Sequence, residues 1–362
     1  MDTSHHCDSG LRRTFLKQSL ACSAAAVASV SLIQPAGAQP LNQRYPDPAV
    51  EILDDRFLDL RLFNASVEKL ADGLRWAEGP VWSGDGRYLL VSDIPNNRIV
   101  RWDEISRSLG VYRENSNFSN GMTRDRQGRL IVCEGSTTQD IGRRITRTEH
   151  SGQITVLADN FEGKRFNSPN DIVVKRDGSI WFTDAPCQAG GYYEGHKIET
   201  ELPHGVYRID GDTLNVARVI DNIAGPNGLC FSPDEQRLYV VEGRARPDRL
   251  VWAYQVNDDG TLGERTRHIE AKGFGGLDGI KCDEQGNLWC GWGSSGSPEA
   301  DPEALDGVRI FDTEGRAIGH IHLPERCANL CFGGPQGNRL FMAASHGIYS
   351  MFVSVRGAQY LS

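Results

Sequence analysis

The chain has 362 residues, 24% charged and 39% apolar, and a formal net charge of −9. That length allows one large domain or two ordinary ones, and the acidic balance argues against nucleic acid and anionic membrane surfaces as partners, because both would repel it. Forty glycines point to a turn-rich, all-β chain.

The first forty residues follow a different pattern. Arg12-Arg13-Thr14-Phe15-Leu16-Lys17 precedes a mild apolar stretch over Ser19–Ile33, and Ala36-Gly37-Ala38 then stands before Gln39. This is the form of a twin-arginine export signal over 1–38, cleaved after Ala38, which makes the periplasm the expected location and the twin-arginine machinery a partner of the precursor. The apolar stretch is too short and too rich in Ala and Ser to span a membrane, so no anchor is expected after cleavage. The mature chain keeps seven cysteines, Cys133, Cys187, Cys230, Cys282, Cys290, Cys327 and Cys331. An odd count leaves at least one unpaired in the monomer, and with no zinc-like spacing they read as small buried hydrophobes.

A lead-in segment over 39–66 is followed by six copies of one pattern: an oxygen-bearing residue, a short apolar strand, a polar turn and a second strand rich in aromatic and β-branched residues. The copies begin at Glu78, Asn120, Asn170, Asn227, Asp278 and Asn329, as in NDIVVKRDGSIWFTD and DGIKCDEQGNLWCGW. A glycine stands eight residues after the leader in five copies (Gly86, Gly128, Gly178, Gly286 and Gly337), whereas the fourth has Glu235. A tight turn needing positive φ explains that offset. Further strand-like runs follow each copy, so each unit supplies about four strands and the predicted fold is an all-β, six-bladed β-propeller over 67–356. The last copy is one strand short and Val67–Ala71 has no partner, so the N-terminal strand is expected to complete the final blade.

In a propeller the first strand of every blade lines the central channel. The six leaders, equivalent by repeat, therefore converge on one rim as a ring of oxygen donors. Singly, each could cap a strand end. Together, Glu, Asn and Asp share acceptor oxygen but not turn geometry, which favours a common ligand. Two formal negative charges with no thiolate or imidazole suit one divalent ion, Ca²⁺ first, with Mg²⁺, Mn²⁺ or Zn²⁺ as alternatives.

The segments WAEGPVW (76–82), NSPNDIVVKRDGSIWFTD (167–184), GPNGLCFSPDEQRLYV (225–240), GGLDGIKCDEQGNLW (275–289) and ANLCFGGP (328–335) resemble the SMP-30/gluconolactonase/LRE-like family of six-bladed propellers. The resemblance runs from about Leu70 to Met351. It implies a metal held by Glu78, Asn170, Asn227 and Asp278, and hydrolysis of a lactone, most famously an aldonolactone such as glucono-1,5-lactone. Relatives acting on other esters or phosphotriesters make an esterase or phosphotriesterase one alternative, and a non-catalytic, metal-stabilised binding propeller is another.

Asp278, a carboxylate beside the expected ion, is the candidate for activating the attacking water, and Glu78 is chiefly an anchor. In related paraoxonase-type propellers a histidine leads the second blade as the base. Asn120 stands there in this chain and cannot accept a proton at neutral pH. Asn120, Asn329, Asp184 and His204 are the expected substrate contacts, with a strand-end turn acid as the other reading of Asp184. The long connection between Ala185 and Gly205, carrying Tyr192, Tyr193, Glu194, His196 and His204, reads as a flap over the mouth. Arg143, Arg144 and Arg147 read as an exposed strand face, with an anionic product as their other possible partner.

Overall fold

The computed structural model describes Met1, the backbone of Gln39 and Pro40, and residues 44–185 and 190–358. The twin-arginine motif, the Ala38 cleavage site, Cys7, Cys22 and Cys187 lie outside the described residues. Among those described, no helix is long and apolar enough to cross a membrane.

Among the described residues, six antiparallel sheets of four or five strands follow one another along the chain, as the repeat predicts, with a two-stranded ribbon, Asn160–Phe161 and Lys164–Arg165, ahead of the third. Blade 1 is built from Ala77–Ser83, Tyr88–Asp93, Arg98–Asp103 and Leu109–Glu114, and blades 2 to 5 repeat the arrangement, starting at Met122, Pro169, Pro226 and Gly275. Blade 6 takes three strands from Cys327–Phe352 and its fourth from Glu68–Asp72, which pairs with Gly347–Phe352 in the register Ile348↔Ala71. The expected closure of the ring by the N-terminal strand is thus present.

The core lies in six wedges, one between each pair of neighbouring blades. Between blades 3 and 4, for instance, Val173, Trp181 and Val206 pack against Leu229, Phe231 and Val240. Strands in this setting are covered on both faces, which accounts for unbroken apolar runs such as Arg339–Ala344, RLFMAA, buried along its whole length.

The lead-in segment adds outer strands that the repeat did not reveal. Val50–Ile52 pairs with Ala317–His322 as a fifth strand of blade 5, and Gln39–Pro40 pairs with Glu68–Asp72 on blade 6. After Val50–Ile52, a 3₁₀ turn at Asp55–Asp59, capped by Asp54 accepting the Arg56 N–H, drives Phe57 into the wedge between blades 5 and 6. Gly319 makes room for that ring, since a Cβ there would strike it.

The turn glycines behave as their offset demands, with φ between 73° and 93° at Gly128, Gly178, Gly286 and Gly337. Two blades differ. In blade 1 the positive φ falls on Arg87 rather than Gly86. In blade 4 Glu235 itself adopts φ 58°, and its carboxylate accepts the Arg176 N–H of blade 3 at 3.0 and 3.1 Å, a contact glycine could not make. At the channel end remote from the leaders, the C-terminal segment crosses from blade 6 to blade 5: Arg356 C=O accepts the Glu284 N–H and Ala358 N–H donates to Cys282 C=O.

Candidate active site

The leading residues sit where the first strand pair of a blade breaks register, at Glu78/Val81, Pro169/Ile172, Pro226/Leu229, Leu277/Ile280 and Cys327/Asn329. Such bulges re-aim a side chain and end local pairing. In blade 2 the strand begins only after Asn120. The next residue is glycine in four blades because the neighbouring blade comes too close for a side chain. A Cβ at Gly79 would meet the carbonyl of Asn120, one at Gly121 that of Asn170, one at Gly228 that of Asp278, and one at Gly279 the side chain of Asn329. Between blades 3 and 4, Asp171 replaces the glycine and its Oδ2 accepts the Leu229 N–H at 3.4 Å. The six leaders therefore stand shoulder to shoulder in chain order around the channel.

Two of them are buried acids that repel each other. Glu78 accepts the Gly79 N–H at 2.9 Å and a hydrogen bond from Asn329. Burial pushes its carboxyl well above the usual carboxylate range, and the charges of Asp278 and Asp171 add to the rise. Burial also raises Asp278, although Arg326 and Arg249 pull in the opposite direction. Arg326 Nη2 reaches Asp278 Oδ2 at 3.0 Å, and the Asn227 side chain bonds the same carboxylate. Asp171 forms an ion pair at 3.5 Å with Lys281 from blade 5. Farther along the channel a cavity of about 110 Å³ is lined by Trp82, Met122, Ile172, Phe231, Lys281 and Phe332.

The remaining predicted residues divide. Asn120, Asn170 and Asn329 are buried on the ring and Asn227 is half-buried. Asn329 is committed to local geometry: its Oδ1 accepts the Leu330 N–H at 2.8 Å and its side chain bonds Glu78, so it orients that acid. Asp184 is fully buried, and its two oxygens accept the Asn167 and Ser168 N–H groups at 2.9 and 2.7 Å. It holds the turn entering blade 3, burial lifting its carboxyl to about 7, and leaves the substrate set. His204 Nδ1 accepts the Gly225 N–H at 2.9 Å, two residues before Asn227, so that ring nitrogen supports the entry to blade 4 instead of facing a ligand.

The connection between the second and third strands of blade 3, described from Gly190 onward, bonds to blades 2 and 1, in line with the flap reading. His196 N–H donates to Ser136 C=O at 2.7 Å in blade 2, Gln139 bonds Glu199 in both directions, and Tyr193 Oη donates to Arg75 C=O at 3.1 Å at the entry to blade 1. Glu194, half-buried on this strap, is raised to about 7 by burial and the charge of Asp278, with Arg326 opposing. The basic cluster is structural. Arg143 is buried and donates to Phe166 C=O and Gln139 C=O, while Arg144 and Arg147 pair with Glu134 and Glu149. The exposed-face reading thus fails at Arg143. The six described cysteines are free and buried.

Sequence reasoning missed Arg326 as a site residue. Its signal was present, because Arg326 precedes Asn329 by three residues just as Arg75 precedes Glu78. Among the described residues no cluster of three or more His, Cys, Asp or Glu is placed to hold a metal, and the ring offers two acids supplemented by amide oxygens. Those residues fit a divalent, oxygen-preferring ion: Glu78 and Asp278 are buried, the charge of Asp278 raises the Glu78 carboxyl, and amide oxygens complete the donor set.

Residues 76–346 match the model of the SMP-30/gluconolactonase/LRE-like region. A gluconolactonase of Zymomonas mobilis is 32% identical over 319 residues, covering 81% of this chain and 82% of its own. A pentonolactonase of Haloferax volcanii is 27% identical, covering 78% and 86%. The solved structure of a gluconolactonase from Xanthomonas campestris superposes with a TM-score of 0.76 at 34% identity, covering 89% of this chain and 99% of that one.

Proposed function

The chain belongs to the SMP-30/gluconolactonase/LRE-like family, and on that premise we propose that it is a metal-dependent lactonase opening aldonolactones such as glucono-1,5-lactone. The observation that carries the reading is the pair of buried acids, Glu78 and Asp278, on a ring otherwise made of amides. The pentonolactonase and gluconolactonase relatives support a sugar lactone as substrate.

Glu78, Asn170, Asn227 and Asp278 would hold one divalent ion, Ca²⁺ first by the chemistry of the donors. When bound, that ion supplies Lewis-acid polarisation of the lactone carbonyl. The chain's own residues do the rest. Asp278 orients the attacking water and takes its proton as oxygen bonds to the carbonyl carbon. The ring C–O bond then breaks, the proton passes to the departing alkoxide, and the product is a hydroxy acid. Asn120 hydrogen-bonds the substrate, Asn329 fixes Glu78, and the strap with Tyr193 and Glu194 restricts water and substrate at the mouth. A panel of sugar, aliphatic and aromatic lactones, with a simple ester and a phosphotriester, tests the assignment. Fastest turnover is expected on a five- or six-membered sugar lactone; turnover confined to the ester or phosphotriester would reassign the reaction.

The export reading, resting on Arg12-Arg13 and Ala36-Gly37-Ala38, places the mature enzyme in the periplasm. Replacing both arginines by lysine should leave the precursor in the cytoplasm on fractionation, and undiminished periplasmic enzyme would rule out this route.

A further inference from the structure

Arg326 lies on the connection between blades 5 and 6, outside every repeated strand element. Its side chain is led to the ring through a slot cut by two glycines. Gly276 and Gly293 face each other across the first two strands of blade 5. A Cβ at Gly293 would collide with Cγ of Arg326, and one at Gly276 would stand 3.2 Å from its Nη1. At the far end of the slot the guanidinium divides its bonds. Nη1 donates to Ser294 C=O at 3.0 Å, and Nη2 donates to Asp278 Oδ2 at 3.0 Å. The planar fork ties the carboxylate to the backbone of the next strand, a geometry a flexible ammonium does not reproduce. The backbone at the base is tied down as well, since Ser345 Oγ donates to Arg326 C=O at 3.3 Å.

We propose that Arg326 is a positioning residue for the lactonase reaction: it locks the Asp278 carboxylate in the orientation that receives the water proton, and the Gly276–Gly293 pair exists to admit it. The inference rests on the lactonase reading. The two can fail separately, because ion affinity is read independently of turnover. Arg326 is a cation beside an ion ligand. A role confined to orientation therefore predicts that losing it leaves ion affinity intact or improved, whereas a purely structural role predicts loss of affinity together with loss of fold.

The experiment compares wild type with Arg326→Gln, Arg326→Lys, Arg326→Ala and Gly293→Ala. It reads kcat and KM on glucono-1,5-lactone, Ca²⁺ affinity by calorimetry and the melting temperature. Arg326→Gln should lose about 10–100-fold in kcat, the range typical of a lost partner to a ligating residue, with KM within about twofold. Its Ca²⁺ affinity should be no weaker than that of wild type. Arg326→Lys should recover only part of kcat, and millimolar guanidinium should raise the turnover of Arg326→Ala. Gly293→Ala, which removes no charge and crowds Arg326 Cγ together with Asp306 Oδ1, should repeat the kcat loss and keeps the test open if the arginine variants fold poorly. Unchanged kcat in Arg326→Gln and Gly293→Ala, or a loss that follows Ca²⁺ content or melting temperature and resists guanidinium, overturns the proposal. If wild type opens no lactone, the lactonase reading fails instead, and weakened Ca²⁺ binding in folded Arg326→Gln would then reject the positioning role independently.

Discussion

Asp278→Asn is expected to lower kcat for lactone opening by about 10²–10⁴-fold, the range a positioned acid–base group supplies, with metal added in excess so that occupancy is restored. The amide keeps the shape, the place at the blade 5 bulge and an oxygen for the ion. It cannot take a proton from water at neutral pH. The amide and histidine groups nearby do not replace it: Asn120 is an amide, His204 Nδ1 is engaged by the Gly225 N–H, and the His196 backbone is pinned over blade 2. Replacing His196 and His204 together should leave the pH–rate profile in place. Steady-state kinetics on metal-saturated protein decide the matter, and full activity of Asp278→Asn would transfer the base role elsewhere, with Glu194 the nearest carboxyl on the strap.

Glu78→Gln should separate ion binding from folding. The substitution removes one of the two negative charges among the four donors, and its cost in ion affinity should exceed the roughly 10–100-fold typical of losing an outer hydrogen-bond partner. Stability should move the other way. Burial and the charges of Asp278 and Asp171 raise the Glu78 carboxyl well above its ordinary value. Its contribution to stability is therefore fully present below the usual carboxylate range and is lost as pH rises through the folded-state value. Glutamine stays neutral throughout. Metal-free Glu78→Gln should consequently melt a few degrees above metal-free wild type at pH 7, with the gap closing toward pH 4, and added Ca²⁺ should stabilise wild type far more than the variant. Calorimetric titration and melting curves at both pH values check this, and equal Ca²⁺ stabilisation of the two proteins would remove Glu78 from the ion site.

The parts of this molecule legible in the sequence are those the repeat imposes. Oxygen-bearing leaders recur because each blade brings its first strand to the same rim, and the turn glycine recurs because five of the six turns put positive φ at that offset, four of them on glycine. The unpaired Val67–Ala71 run announced the closure of blade 6. What escaped notice depends on contacts between units. Val50–Ile52 and Phe57 belong to no repeat and are placed only by the edge of blade 5 and the space over Gly319. Asp184 has the composition of a site residue, yet its oxygens are consumed by amides 16 and 17 residues upstream. Arg75 and Arg326 occupy the same repeat position. The Gly276–Gly293 slot, visible only once the strands are paired, distinguishes the one that reaches an acid of the ring.

The central claim is that the oxygen-lined rim is a catalytic ion site. The most direct measurement is hydrolysis of glucono-1,5-lactone, corrected for its spontaneous opening, by protein stripped of divalent ions and then titrated with Ca²⁺, Mg²⁺, Mn²⁺ and Zn²⁺ while circular dichroism follows the fold. Stripped protein is expected to keep its β-sheet spectrum, show no turnover above background, and regain activity in proportion to about one bound ion per chain. Full activity in the stripped protein, or ion-dependent folding with no lactone opened at any occupancy, would contradict it.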